Sequence, residues 1–152
     1  MKPDQSGKIG RTALELIGTL LDTQSQCHRN YTQIAHGSMN ALFVELTTFE
    51  RQRKDYLDDD EYRAFQQMLL NDPEAGAVIV HTGGLRKIRF GDPKRNKGKR
   101  GGIRVIYYYW HSGTQFWLFT VYDKDELDDL SNDQRKALKA ALEREVKART
   151  TP

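Results

Sequence analysis

Basic side chains are concentrated in one stretch of the sequence, between residues 84 and 104. This stretch holds nine lysines and arginines and one acid, a net charge of +8, although the whole chain of 152 residues carries only +3. A local excess of positive charge attracts a polyanion even when the whole molecule is nearly neutral. A solvated hairpin loop is the plainer interpretation, but the charges continue into apolar segments, which favours a nucleic-acid-binding surface. The cations are Arg86, Lys87, Arg89, Lys94, Arg95, Lys97, Lys99, Arg100 and Arg104.

Some of these cations lie in segments that read as β-strands. In the first such segment, the alternation of side chains places Lys87 and Arg89 on one face, roughly 6.6 Å apart along the strand. Arg104 begins a second segment, Ile103–Trp110, that is apolar or aromatic on both faces, which predicts a central strand of the sheet.

A charge in a central strand is costly unless it is paired or faces a ligand. An ion pair between Arg104 and Glu45 or Asp123 would satisfy it, and this explanation has nearly even weight when Arg104 is considered alone. The presence of Lys87 and Arg89 across a predicted hairpin favours a phosphate site instead.

Other kinds of site are not indicated. Cys27 is the only cysteine, so the chain has neither an internal disulfide nor a cysteine-based zinc site. His81 and His111 have no acidic or cysteine partner at metal-ligand spacing. The acidic cluster from Asp123 to Asp129 leads into a predicted helix, whose N-terminus favours negative charge. The sequence contains no phosphate-binding loop of the Walker type and no nucleophile elbow.

The elements that must position these residues follow the order β-α-α-β-β-β-α. This order predicts an α+β fold in which two N-terminal helices and a C-terminal helix pack on a small antiparallel sheet. Capping boxes at Asp58–Glu61 and Ser131–Gln134 mark the starts of the second and third helices. The predicted segments are a strand at Leu42–Phe49, a helix from Phe49 to Leu57, a helix ending at Asn71-Asp72-Pro73, strands near Leu85–Phe90, Ile103–Trp110 and Phe116–Tyr122, and a C-terminal helix.

Residues 1–38 are predicted to be an extension that precedes a domain spanning residues 39–152. The extension contains one short amphipathic helix, opened by a capping box at Thr12–Glu15, and then a polar stretch without period. Met39 is a possible internal start. Neither a signal peptide nor a run of about 18 apolar residues is present, so we expect a soluble, cytoplasmic protein without membrane contact.

Three blocks of the sequence closely resemble RelE/HigB-type toxins of bacterial type II toxin–antitoxin systems, most strongly the HigB branch. They are Gly83-Gly-Leu-Arg-Lys-Ile-Arg89, Lys97-Gly-Lys-Arg-Gly-Gly-Ile-Arg-Val-Ile-Tyr-Tyr108 and Leu118-Phe-Thr-Val-Tyr-Asp-Lys-Asp-Glu-Leu-Asp-Asp-Leu-Ser131. The resemblance extends from about Met39 to the C-terminus, and the fold of this family agrees with the predicted order of elements.

The resemblance implies a ribosome-dependent mRNA endonuclease that needs neither a metal ion nor a cofactor. By position, Lys87, Arg89, Arg104 and Lys124 match the catalytic cations of the family. Arg104 and Lys124 would stabilise charge on the phosphate, and Lys87 would transfer a proton with the help of Arg89. Leu130 stands where some members have a tyrosine or histidine, so the acid and base stay open; Tyr108 or Tyr122 could substitute by stacking on a base. The expected RNA-binding residues are Arg86, Lys94, Arg95, Lys97, Lys99, Arg100 and Tyr108.

The resemblance also implies partners: a helix-turn-helix antitoxin, the ribosomal A site and mRNA, with DNA reached only through the antitoxin complex. Two alternatives remain at this point. ParE-type proteins have the same fold and bind DNA gyrase without catalysis, and a ribosome-binding module could stop translation without cleaving RNA. Converging cations favour the nuclease, because a protein-binding face is expected to have apolar anchors.

Overall fold

The structure, a computed structural model, describes residues 30–36, 39–91, 102–123 and 129–150. It confirms the predicted α+β class. The strands and helices are β1 (Asn30–His36), β2 (Met39–Glu45), α1 (Thr47–Tyr56), α2 (Asp59–Asn71), β3 (Ala77–Val78), β4 (Arg86–Phe90), β5 (Ile103–Trp110), β6 (Gln115–Asp123) and α3 (Asn132–Thr150).

The strands form one sheet in the order β1-β2-β6-β5-β4-β3. β4, β5 and β6 are an antiparallel meander, as predicted, and β5 lies between β4 and β6 in the interior of the sheet. β2 and β6 are parallel, which departs from the expected purely antiparallel sheet. The long connection through α1, α2 and the meander allows this, because a parallel neighbour requires a crossover and not a hairpin.

The sheet also contains two strands that the sequence did not predict, the two-residue β3 and the seven-residue β1. β1 pairs in antiparallel register with all seven residues of β2, from Asn30 opposite Glu45 to His36 opposite Met39. This segment lies within the predicted extension. It was not predicted as a strand because its mostly polar residues show no alternation of apolar and polar side chains. The predicted boundary between residues 38 and 39 therefore falls between two paired strands, and the two-part division of the chain stays a prediction.

The first predicted strand was placed too far along the chain. β2 ends at Glu45, and α1 begins at Thr47, where a strand was expected to continue to Phe49. Leu46 has extended backbone angles and donates its N–H to the carbonyl of Leu118 at 3.0 Å, which ties the end of β2 to β6. Phe49 is fully buried on α1, in agreement with the predicted helix from Phe49 to Leu57, so the error is confined to the end of the predicted strand.

Both predicted capping boxes are confirmed by their hydrogen bonds. At α2 the Glu61 N–H donates to Asp58 Oδ1 at 2.7 Å, and the Asp58 N–H donates to Glu61 Oε2 at 3.0 Å. At α3 the Gln134 N–H donates to Ser131 Oγ at 3.2 Å, and the Ser131 N–H donates to Gln134 Oε1 at 2.8 Å. These bonds satisfy backbone donors that the first helical turn leaves unpaired.

Two apolar cores lie on opposite faces of the sheet. The α1 and α2 side contains Phe43, Phe49, Phe65, Val105 and Leu118, and the α3 side contains Val44, Ile106, Trp117, Leu138 and Leu142. β5 contributes to both, which explains why its two faces are apolar. Of the helices that the structure describes, none is long and apolar enough to span a membrane.

Candidate functional site

The centre of the site is a row of three side chains that crosses β4, β5 and β6. Arg89 is the direct partner of Arg104, and Arg104 is the direct partner of Tyr122. Direct partners in an antiparallel pair lie on the same face, with Cβ atoms roughly 4.5–5.5 Å apart. Lys87 stands two residues before Arg89 and therefore shares the face. The structure thus brings together three of the four cations that the sequence assigned to catalysis.

Arg104 is the buried member of this row, with 5% of its surface exposed. Its Nη1 donates to the carbonyl of Gly102 at 3.0 Å. Arg89, by contrast, is exposed and Lys87 is half-buried. The row therefore runs from solvent at β4 to a buried guanidinium in the middle of the sheet.

Neither carboxylate that could have neutralised Arg104 lies on its face. Asp123 is the partner of Ile103, one residue out of phase with Arg104. Glu45 faces α2, where burial and, secondly, the negative charge of Glu45 raise the pKa of Tyr62 above its usual value. Among the described residues Arg104 forms no ion pair with either acid. The described part of the chain therefore does not support an ion pair with Glu45 or Asp123 as the explanation for Arg104.

Two like charges placed directly opposite each other destabilise a sheet. Arg89 and Arg104 occupy such a pair of positions. Burial of Arg104 adds a desolvation cost that a single hydrogen bond to a neutral carbonyl only partly offsets. An arrangement that opposes folding in this way is typical of a surface adapted to bind an anion.

The start of α3 adds two groups to the site. The carboxylate of Asp129 places Oδ1 at 3.9 Å from Lys87 Nζ and at 3.7 Å from an Nη of Arg135. The sequence interpretation treated Asp129 as one of several acids near the N-terminus of α3 and did not predict its contacts with Lys87 and Arg135. Asp129 and Arg135 were missed because only the tertiary fold places α3 beside β4.

Tyr122 supplies a hydroxyl at the buried end of the row. Burial raises the pKa of Tyr122 to about 12; the negative charge of Asp129 adds to this shift and the positive charge of Arg104 opposes it. The hydroxyl is therefore protonated at neutral pH and can donate a hydrogen bond or a proton, but it cannot act as a base. Only 3% of Tyr122 is exposed, so its ring is not available for stacking on a nucleic acid base.

Tyr108 lies farther along the same face of β5 and is half-buried. Its ring centroid is 5.2 Å from that of Trp117, and a Cβ atom on Gly84 would lie 3.3 Å from Tyr108 Cε2. Gly84 has a positive φ of 118°, so the chain passes close over the ring in a conformation that suits glycine. The partly exposed ring remains a candidate for stacking on a base.

Arg86 is separated from the other basic residues of β4 because it points to the opposite face. It donates to the carbonyls of Glu74 and Gly76 at 3.0 and 2.8 Å, and it lies 3.4 Å from the Glu74 carboxylate. The hydroxyl of Tyr107 bonds the same loop, at Pro73 and Gly76. These contacts give Arg86 a role in fixing the loop before β3. The alternation along β4 already contained the signal, because Arg86 is in phase with Ile88.

His111 has an acidic neighbour that the sequence interpretation did not identify. Its Nε2 lies 3.1 Å from Glu74 Oε1, across 37 positions of the chain, and both side chains are largely exposed. Within the described ranges, no three His, Cys, Asp or Glu side chains are grouped closely enough to hold a metal ion.

Several predicted residues lie outside the described part of the chain. They are Cys27, the catalytic candidate Lys124 and the RNA-binding candidates Lys94, Arg95, Lys97, Lys99 and Arg100. Their assignments stay predictions.

Comparison with known proteins identifies a similar solved structure but no family. No protein-family model matches the sequence. A double arginine-to-alanine mutant of the E. coli toxin RelE, in the free state, is similar over 65% of this chain and 98% of that chain, with a TM-score of 0.37 and 15% sequence identity. Values at this level assign neither a family nor a function to the chain.

Proposed function

We propose that this protein is the toxin of a type II toxin–antitoxin system and acts as a RelE/HigB-like mRNA endonuclease on translated messages. The observation that carries the proposal is that Lys87, Arg89 and Arg104 share one face of the sheet with Tyr122. The three sequence blocks that resemble these toxins contain the same residues. The resemblance rests on the identities of these residues, and the geometry on their strand register and burial.

The proposed chemistry is attack by the 2′-hydroxyl of an RNA nucleotide on its own 3′-phosphodiester. The 2′-oxygen loses its proton as it bonds to phosphorus, the 5′-oxygen of the next nucleotide leaves and gains a proton, and a cyclic phosphate remains. Negative charge grows on the phosphoryl oxygens in the transition state, and preorganised cations stabilise it. Arg104 and Arg89 meet this requirement because guanidinium groups keep their charge and match phosphate geometry.

Arginine is too basic to exchange protons in this reaction. Lys87 therefore remains the proton-transfer candidate in the described part of the site, and Lys124 remains a candidate for phosphate charge. Tyr122 is protonated at neutral pH, so it can donate to a phosphoryl oxygen or to the leaving oxygen.

The alternative of a gyrase-binding toxin without catalysis predicts apolar anchors on the functional face. The exposed large apolar side chains of the described residues are Val78 and Val80. Val78 is paired with Arg86, on the face turned away from Lys87. The described face that carries the cations therefore suits a polyanion better than a protein surface.

The proposal includes a neutralising partner. An enzyme that cleaves the messages of its own host must be held inactive, so we expect a helix-turn-helix antitoxin that masks the cationic face or prevents entry to the ribosome. Co-expression with the product of the adjacent gene should yield a complex that co-purifies and restores growth. Restored growth without physical association would contradict this part of the proposal.

The decisive experiment adds the purified full chain to a translation extract programmed with a reporter mRNA. Primer extension should detect cuts in the message that require translation, and the upstream fragments should end in a cyclic or 3′-phosphate. Intact mRNA with arrested translation would indicate a binding module. Intact mRNA together with inhibition of gyrase supercoiling would indicate a ParE-like protein.

Salt dependence provides a second test of the RNA-binding residues. If roughly five phosphates are contacted, log affinity for single-stranded RNA should fall against log salt with a slope near −3.5, at ~0.7 per contact. Charge reversal at Lys97, Lys99 and Arg100 should flatten this slope. An unchanged slope would mean that these three residues are solvated and not part of the interface.

A further inference from the structure

The position of Arg135 in α3 is unfavourable for the helix itself. Arg135 is the fourth residue of α3, and its backbone N–H donates to the carbonyl of Ser131 in the first turn. The helix macrodipole concentrates partial positive charge at this end, so a cation there is destabilising. Some other interaction must account for Arg135.

Arg135 shares a single carboxylate oxygen with Lys87. Oδ1 of Asp129 lies 3.7 Å from Arg135 and 3.9 Å from Lys87, so one anionic oxygen lies between a cation of α3 and a cation of β4. The same oxygen accepts the N–H of Leu130 at 2.8 Å. Both distances to the cations are longer than a charge-assisted hydrogen bond, which is typically 2.7–2.9 Å. Neither cation is therefore saturated by Asp129.

The exposure of the three side chains indicates which group can move. Asp129 is 74% exposed, whereas Arg135 is 21% and Lys87 is 30% exposed. The side chains of Arg135 and Lys87 are largely enclosed by the protein, whereas the carboxylate of Asp129 is largely exposed to solvent. In addition, Nε of Arg135 is enclosed and has no hydrogen-bond acceptor among the described residues, so the protein leaves this guanidinium incompletely satisfied.

We infer that Arg135 is a further phosphate-binding residue of the site, and that Asp129 occupies the place of an RNA phosphodiester until RNA displaces it. The inference rests on the proposed function and adds α3 to the binding surface. A phosphodiester presents anionic oxygens to Lys87 and Arg135 in the way that Asp129 does, and guanidinium is well suited to bind it. Asp129 then serves in the free protein to reduce repulsion between the two cations.

The test uses the full chain and a short single-stranded RNA in which every 2′-hydroxyl is methylated. This probe keeps its phosphates but lacks the attacking group, so binding is measured apart from cleavage. Arg135→Ala should reduce the magnitude of the log affinity against log salt slope by about 0.7, the value for one lost phosphate contact. Lys136→Ala is the matched control, because Lys136 is an exposed cation of the same helical turn. It should leave the slope unchanged.

Replacement of the carboxylate gives the second measurement. Asp129→Asn removes the competing charge and should strengthen binding of the methylated RNA by about two- to fivefold, the scale of an exposed ion pair. In an Arg135→Ala background the gain should shrink, because one of the two cations that the carboxylate holds is already absent. An equal gain in both backgrounds would overturn the inference, and so would weaker binding of Asp129→Asn.

The outcomes separate this inference from the proposed function. If the wild-type protein neither binds the methylated RNA nor cleaves a translated message, the proposed function fails. If the wild-type protein does both and Arg135→Ala behaves as Lys136→Ala does, only the inference fails. The thermal midpoint of Arg135→Ala should equal or exceed that of the wild type, since the substitution removes an unfavourable charge from the helix N-terminus. A decrease of many degrees would assign Arg135 to folding and also overturn the inference.

Discussion

Replacing Arg104 with methionine should slow mRNA cleavage strongly while the fold is retained. Methionine approximates the length of the buried side chain without its charge, whereas alanine would leave a cavity beneath the row. Arg104 is 5% exposed, bonds the Gly102 carbonyl at 3.0 Å and stands directly opposite Arg89. The burial of Arg104, its hydrogen bond and the opposing charge of Arg89 together determine the expected change in stability.

The opposing contributions are of similar size. Loss of a charge-assisted hydrogen bond costs about 1.5–3 kcal/mol. Relief of the repulsion from Arg89 should raise the free energy of unfolding by about 0.2–1 kcal/mol. Burial of the apolar methionine side chain, which needs no desolvation of a charge, should raise it further. We therefore expect the free energy of unfolding to change by less than about 2 kcal/mol. Loss of one preorganised donor to the developing phosphoryl charge should lower the cleavage rate ~10²–10³-fold, or roughly 2.7–4 kcal/mol.

Urea denaturation and cleavage in the translation extract should be measured on the same preparations. The control is Arg63→Met, which makes the same substitution at an exposed position of α2 and should preserve both quantities. If Arg104 were half of a buried ion pair, its removal would lower the free energy of unfolding by ~3–5 kcal/mol, and the folded fraction would cleave normally. That result would refute the phosphate-binding role of Arg104.

Three other predictions concern the parts of the fold that support the site. Asp58→Ala should lower the free energy of unfolding by about 0.5–2 kcal/mol in urea denaturation, because it removes one side of the capping box of α2; an unchanged midpoint would contradict this. A chain that starts at Met39 should still fold, because β2 stays paired with β6, but its denaturation midpoint should fall because β2 loses its partner β1; an unfolded product would show that β1 is indispensable. Burial raises the pKa of Tyr122 from 10.0 to about 12. Between pH 10 and pH 12 the Tyr122 hydroxyl therefore keeps its proton in the folded protein and loses it in the unfolded chain. The stability that Tyr122 contributes below pH 10 should therefore disappear as the pH rises to 12, by up to ~1.4 kcal/mol per pH unit, and Tyr122→Phe should reduce this slope.

Local signals in the sequence were sufficient for much of the fold. The capping boxes at Asp58 and Ser131 are formed by residues close together in the chain, so their chemistry can be read in order. The meander strands were placed within one residue at each end, because short apolar and aromatic runs bounded by polar or glycine-rich segments are typical of buried strands. The period of two along β4 placed Lys87 and Arg89 on one face, whereas Arg104 joins them through the register between β4 and β5.

The other features of the fold and the site depend on contacts between segments that are distant in the chain. The polar sequence of β1 carries no periodic signal, and its strand exists because β2 offers an edge along its full length. The register that sets Arg104 between Arg89 and Tyr122 is determined by packing on both sheet faces, which also places Asp123 one residue out of phase with Arg104. Asp129 and Arg135 join the site only because α3 packs across the sheet and brings its first turn to Lys87. The sequence by itself thus determined which charges are available and that Lys87 and Arg89 share a face. The tertiary structure decided which of the charges are buried, opposed or shared, because these properties arise from neighbours that are remote in the chain.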